Sequence, residues 1–143
     1  MLRILTAVLL LSTVSSSVSV AAGCLRYGVV TLTGRLVQQT YPGAPDYESV
    51  TKGDEPLIIW VLQLDRGICV DGSDSSYPSA SNEREIQLVL GTDQYARTQQ
   101  YEPYRQLLGA KITVRGTLLA GGARYDKRFV LAAHEITKAR RQT

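Results

Sequence analysis

Four acidic residues crowd one short stretch of the chain: Asp46, Glu48, Asp54 and Glu55. Closely spaced carboxylates can hold a divalent cation or work as an acid/base pair. Their spacing here matches no cation-binding loop, and the stretch reads as a solvated one. Asp71 and Asp74 have a faint likeness to a calcium loop, but the further ligands and the terminal glutamate are missing, and Asp-Gly and Ser-Ser turn chemistry accounts for them. His134 is the single histidine and lies between Ala133 and Glu135. Without a second positioned group there is no triad, and without Cys or His clusters there is no zinc site. The sequence therefore offers no catalytic residue, no metal site and no cofactor, and an enzyme is not expected.

Cys24 and Cys69 are the only cysteines, and what they do depends on compartment. Residues 1–22 have the form of a secretory leader. Arg3 supplies the positive start, Ile4 to Leu11 is an apolar run broken only by Thr6, and small residues follow from Ser12 through Gly23. The run is shorter than the roughly 20 residues that a membrane span requires. A cut after Ala22 puts Val20 and Ala22 at the two positions that matter. The expected location is periplasmic or secreted, and an even cysteine count in an oxidising compartment favours a Cys24–Cys69 bridge. Closing that loop would contribute about 4 kcal/mol in the chain-entropy account. Two other readings stay open. Ala21-Ala22-Gly23-Cys24 could be a lipobox with Cys24 lipidated, although Ala21 stands where Leu is usual. The thiols could also be buried separately.

Aromatic and basic side chains are the remaining contact candidates. Tyr41 and Tyr47 fall on a proline-stiffened stretch, where exposed rings bring large contact area at low entropy cost, or equally could fold back onto the barrel and plug one end. Together with Asp46, Glu48, Asp54 and Glu55 they make a candidate partner-binding surface. Lys111, Arg115, Arg124 and Lys127 form a candidate anion-facing strip, extended by Arg128 and the tail Lys138, Arg140 and Arg141. Of the 16 Lys and Arg only Arg3 lies in the leader, so 15 basic residues stand against 13 acidic ones and the mature net charge is +2. That balance does not argue for nucleic acid. Trp60 has the chemistry of a stacking platform, but its place inside an apolar run makes it a core residue.

The elements that must position these groups read as β. Lys111 to Leu119 alternates, with Ile112, Val114 and Leu118 on one face and Lys111, Thr113 and Arg115 on the other. Gly116 falls on the apolar face, where a bare backbone allows a bend or a close approach. Tyr27 to Gln38 is a long first strand interrupted in the same way by Gly34. Tyr41 to Glu55 is a loop. Pro56 to Leu64 is the most apolar stretch, a strand buried on both faces over part of its length. Asp65-Arg66-Gly67 is a turn, and Ile68-Cys69-Val70 continues the sheet. A polar loop runs to Asn82, and Arg84 to Leu90 is the next strand. Thr92 caps a short helix from Asp93 with Tyr95 pointing inward, and Pro103 opens a second helical piece that stops at Gly109. Tyr125 to Ile136 is the last strand.

Three strands, a helical piece and two more strands give the element order of a five-stranded Greek-key barrel of the oligonucleotide/oligosaccharide-binding (OB) type, mainly β, with one or two short helices between the third and fourth strands. Residues 23–143 form one such domain, since about 120 residues hold one core.

The chain also resembles a family of small exported bacterial proteins that carry a domain of unknown function. Thr31-Leu32-Thr33-Gly34, Pro42 to Val50, Lys52-Gly53-Asp54, Leu64 to Val70, Gln87 to Leu90, Gln94 to Arg97 and Leu107-Leu108-Gly109 carry the resemblance, which spans nearly all of residues 23–143. It implies an OB-like barrel and a bridge between a cysteine before the first strand and one in the Ile-Cys-Val segment, here Cys24 and Cys69. Relatives often have a histidine-rich turn between the last two strands. Gly121 to Lys127 occupies that place here without histidine, so a metal role does not carry over.

The functional expectation is a non-enzymatic protein of the envelope that binds a protein partner through loop 41–55, as an inhibitor or immunity protein against a cell-wall-directed hydrolase or toxin. The alternatives are a stand-alone envelope maintenance protein, or a module that binds an anionic polymer or oligosaccharide.

Overall fold

The computed structural model describes residues 23–122 and 125–140. The leader expected over residues 1–22, Arg124 and Arg141 lie outside the described residues.

The chain is mainly β. The strands are β1 (Leu25–Arg26), β2 (Gly28–Pro42), β3 (Pro56–Asp71), β4 (Ala80–Val89), β5 (Lys111–Ala120) and β6 (Phe129–Lys138). They form one sheet in the order β1-β3-β2-β5-β6-β4, with a further pairing between β3 and β4. All the pairings are antiparallel except β1 with β3 and β4 with β6. A 3-10 turn spans Val50–Lys52, and a 3-10 helix spans Gln99–Leu107.

Alternation decides which face each strand buries. On β5, Ile112, Val114 and Leu118 are fully buried, while Lys111 and Arg115 are exposed. Leu32 and Leu36 of β2, Ile86 and Leu88 of β4, and Phe129 and Leu131 of β6 join them in one core. β3 departs from alternation. Trp60 and Leu62 belong to that core, yet Ile59 and Val61, on the opposite face, are also fully buried. That double burial explains why Ile59 to Leu62 is apolar without interruption.

Gly34 and Gly116 mark close approaches of backbone to backbone. A Cβ at Gly34 would stand 2.4 Å from the Gln63 carbonyl oxygen, and one at Gly116 would stand 2.5 Å from that of Ala132. The β5–β6 register shifts between Arg115 and Gly116, so the glycine sits where the ladder slips.

Four sequence expectations need correction. Asp65-Arg66-Gly67 is not a turn. β3 runs through it, and the ladder shifts between Gln63 and Ile68, so the turn-forming residues are absorbed as an irregularity within a long strand. No helix starts at Asp93. The Ala96 N–H, which a helix would direct four residues back, donates instead to the Ile58 carbonyl of β3 at 2.8 Å, and Tyr95 is only partly buried while Ala96 is buried. The helical piece begins earlier than Pro103, at Gln99, and encloses that proline. β6 starts at Phe129 rather than near Tyr125, because residues 126–128 make contacts outside the ladder. Asp126 and Lys127 bond to β4, and the Arg128 carbonyl accepts the Gly121 N–H. In addition, β2 extends past Gln38 to Pro42, and a sixth, two-residue strand, β1, stands beside β3.

The 3-10 helix closes one end of the core. Tyr101 is fully buried and meets Trp60 edge to face, with ring centroids 4.9 Å apart. Its hydroxyl accepts the Leu90 N–H and donates to the Asp93 carbonyl, tying the segment after β4 to the helix.

Candidate functional site

The segment between β2 and β3 is built around one carboxylate. Asp54 is only 5% exposed, and it accepts backbone N–H groups from Asp46 at 2.9 Å, Glu48 at 2.8 Å and Ser49 at 2.7 Å. The hydrogen bonds from Asp46 and Ser49, which outweigh burial, hold its pKa below the ordinary carboxylate value. Two short backbone bonds close the neck, Gly43 N–H to the Glu55 carbonyl and Glu55 N–H to the Ala44 carbonyl, both at 2.7 Å.

The product is a firm loop with an aromatic tip. Tyr47 is 67% exposed and has a φ of 59°, in the left-handed region. A non-glycine residue there costs about 1–3 kcal/mol and persists only when its surroundings fix it. The Asp54 carboxylate on either side of Tyr47, and the Tyr47 N–H donating to the Gly43 carbonyl at 2.9 Å, do so. Asp46 and Glu48 flank the ring and are exposed, as is Val50.

The six partner-binding candidates therefore separate. Asp46, Tyr47 and Glu48 share the exposed tip. Asp54 points inward as the loop's organiser. Glu55 pairs with Arg97 at 2.7 Å. Tyr41 is not on the loop but on β2, opposite Leu57, where its hydroxyl donates to Gln39 Oε1.

The basic candidates separate as well. Lys111 is ion-paired with Asp65. Lys127 is paired with Glu85 at 2.5 Å. Burial works against the Lys127 ammonium, but the bonds to Glu85 and Tyr41 overcome it and its pKa rises. The same Lys127 bond keeps Glu85 below the usual carboxylate value, against burial. Arg115 stays exposed, opposite Glu135 on β6.

Sequence reading missed the polar group around Glu85. Gln39 and Gln63 both donate to its Oε1, at 3.0 and 3.2 Å. Gln87, fully buried, accepts the Asp126 N–H and donates to the Gln94 carbonyl, fastening two loops to β4. Glutamines at polar positions of alternating strands were the only available signal.

Cys24 and Cys69 form a disulfide, and no cysteine is free among the described residues. No helix among the described residues is long and apolar enough to cross a membrane. Comparison with protein-family models and with curated proteins gives no match.

Proposed function

We propose that this is a non-enzymatic binding protein of the periplasm or exterior that grips a protein partner through the tip of the β2–β3 loop. The observation that carries the reading is Tyr47, largely exposed in a left-handed conformation and braced by the buried Asp54. A braced aromatic loses little conformational entropy on contact, so its buried area appears as affinity. With Asp46 and Glu48 beside the ring, the matching surface is an apolar pocket rimmed by basic residues. An inhibitor or immunity protein that caps a cell-wall-directed hydrolase or toxin has these requirements. The leader-like residues 1–22 and the disulfide support an oxidising compartment.

The scaffold in this reading is a closed OB-like Greek-key barrel, as in the exported family that the chain resembles. Its support is the pairing pattern. Starting from β3, the neighbours run β2, β5, β6 and β4, and β4 pairs with β3 again, with β4 and β6 parallel. The anionic-polymer alternative is weaker, since Lys111 and Lys127 are matched by Asp65 and Glu85.

Capture from a periplasmic extract with wild-type protein and with Tyr47→Ala tests the proposal. A specific partner should be recovered with the wild type and fall about tenfold or more with the variant, the loss expected for a buried aromatic anchor. Equal recovery would remove the loop from the function.

A further inference from the structure

The other end of β3 carries an independent feature. β1 is two residues long and pairs parallel to the last residues of β3, Leu25 beside Val70 and Arg26 beside Asp71. So short a pairing has little stability of its own. The Cys24–Cys69 bridge, adjacent in sequence to both segments, fastens it. Docking β1 there completes a cleft of about 320 Å3 lined by Arg26, Tyr27, Asp71, Gly72, Ser73 and Tyr77.

Two properties of this cleft point to a ligand. Arg26 and Asp71 are register partners on adjacent strands, so their side chains leave the sheet on the same face. Both are exposed, and neither makes an ion pair or a side-chain hydrogen bond with another described residue, so both charges are free to meet a ligand from solvent. Beside them stands an aromatic wall. The Tyr77 ring is 47% exposed and packs edge-on against Tyr27, with centroids 5.1 Å apart.

The wall is firm. The Tyr27 hydroxyl donates to the Pro78 carbonyl at 2.8 Å. The Asp74 carboxylate accepts the Ser73 hydroxyl and the N–H groups of Ser76 and Tyr77, and the Gly72 N–H donates to Ser79 Oγ. The chain crosses itself so closely here that a Cβ on Gly72 would lie 1.6 Å from the Tyr77 carbonyl oxygen.

We propose that this cleft binds a small zwitterion bearing an aromatic group, of which a free aromatic α-amino acid is the simplest case. Arg26 takes the carboxylate, Asp71 takes the ammonium and Tyr77 covers the aromatic group. Neighbouring strands lie about 4.8 Å apart, which suits the two charges of an α-amino acid, themselves one carbon apart. A simple anion or cation would satisfy one side of the cleft and be repelled by the other. The site lies at the opposite end of β3 from the Tyr47 loop and does not depend on it.

Titration of the oxidised, isotope-labelled protein with L-phenylalanine, followed by amide NMR, tests this. Saturable shifts should be confined to Arg26, Tyr27 and residues 71–77. Arg26→Gln and Asp71→Asn should each weaken binding by about tenfold, the usual worth of a charge-assisted hydrogen bond. N-acetyl-L-phenylalanine, which lacks the cation, and L-phenylalaninamide, which lacks the anion, should be weaker to a similar degree. Reduction of Cys24–Cys69 should abolish the shifts. The proposal is overturned by no saturable shift in the oxidised protein, by shifts outside the cleft, or by binding that is indifferent to both variants and both blocked analogues.

Discussion

Asp54 Oδ2 accepts the backbone N–H of Ser49 at 2.7 Å, and this bond, with its companions to Asp46 and Glu48, converts a proline- and glycine-rich loop into a fixed platform for Tyr47. A carboxylate with three N–H donors satisfies backbone groups that a tight loop would otherwise leave without partners.

The first prediction follows from the sign of the Asp54 shift. Its pKa is lower in the folded chain than in the unfolded one, so its contribution is complete above the unfolded value of about 3.9. That contribution is lost as pH falls through the lower folded value. Amide NMR across an acid titration should show the Asp46, Glu48 and Ser49 resonances unchanged through the ordinary carboxylate range, then moving together at lower pH. In Asp54→Ala they should lose protection from hydrogen exchange at neutral pH. Movement centred on the ordinary value would mean that the bonds do not bias ionisation.

Tyr101 carries the second prediction. Its hydroxyl is the partner of the Leu90 N–H, a buried donor. Tyr101→Phe keeps the ring against Trp60 and removes that partner, so it should cost about 1–3 kcal/mol in urea unfolding. Burial raises the Tyr101 pKa, so the folded state favours the neutral phenol. The associated stability is present below the unfolded pKa and disappears as pH climbs through the folded one. The stability gap between wild type and Tyr101→Phe should therefore narrow only in strong alkali.

The β5 face of Ile112, Val114 and Leu118 was readable because strand period is local, and the first half of β3 was readable because Ile59 to Leu62 are apolar on both faces. The Tyr47 tip was readable as an aromatic on a stiff loop. Asp54 was not separable from Asp46 and Glu48, since its role depends on backbone N–H groups that converge only after the loop closes. The Lys127–Glu85 pair joins residues 42 apart in sequence, and composition alone shows only two charges. The helix expected from Asp93 failed for a non-local reason, the Ala96 N–H bonding across to the Ile58 carbonyl of β3.

Gly116 supplies the third prediction. Gly116→Ala would drive a methyl group against the Ala132 carbonyl oxygen, which is backbone inside a ladder and has little room to yield. Overpacking of this kind costs about 1–3 kcal/mol. Gly23→Ala, where a Cβ meets nothing within 4 Å, should leave the unfolding midpoint unchanged and serves as the control. Equal midpoints for all three proteins would show that β6 can move away from β5 at no cost.

The disulfide supplies the last prediction. Cys24 and Cys69 are 45 residues apart in sequence, and the bridge closes a loop that contains all of β2 and most of β3. Because the stabilisation acts mainly on the unfolded chain, replacing both cysteines with serine should lower stability by about 2–4 kcal/mol with little change in the β2–β3 ladder. Urea midpoints of the oxidised protein and of Cys24→Ser/Cys69→Ser measure the loss. Amide NMR of the variant should place its changes at Leu25 and Arg26, where β1 depends on the bridge, while Gly34 to Pro42 keep their protection. Intact-mass analysis of the purified protein should give a mass two hydrogens below the dithiol form. A free-thiol mass, or an unchanged midpoint in the double variant, would contradict the assigned role of the bridge.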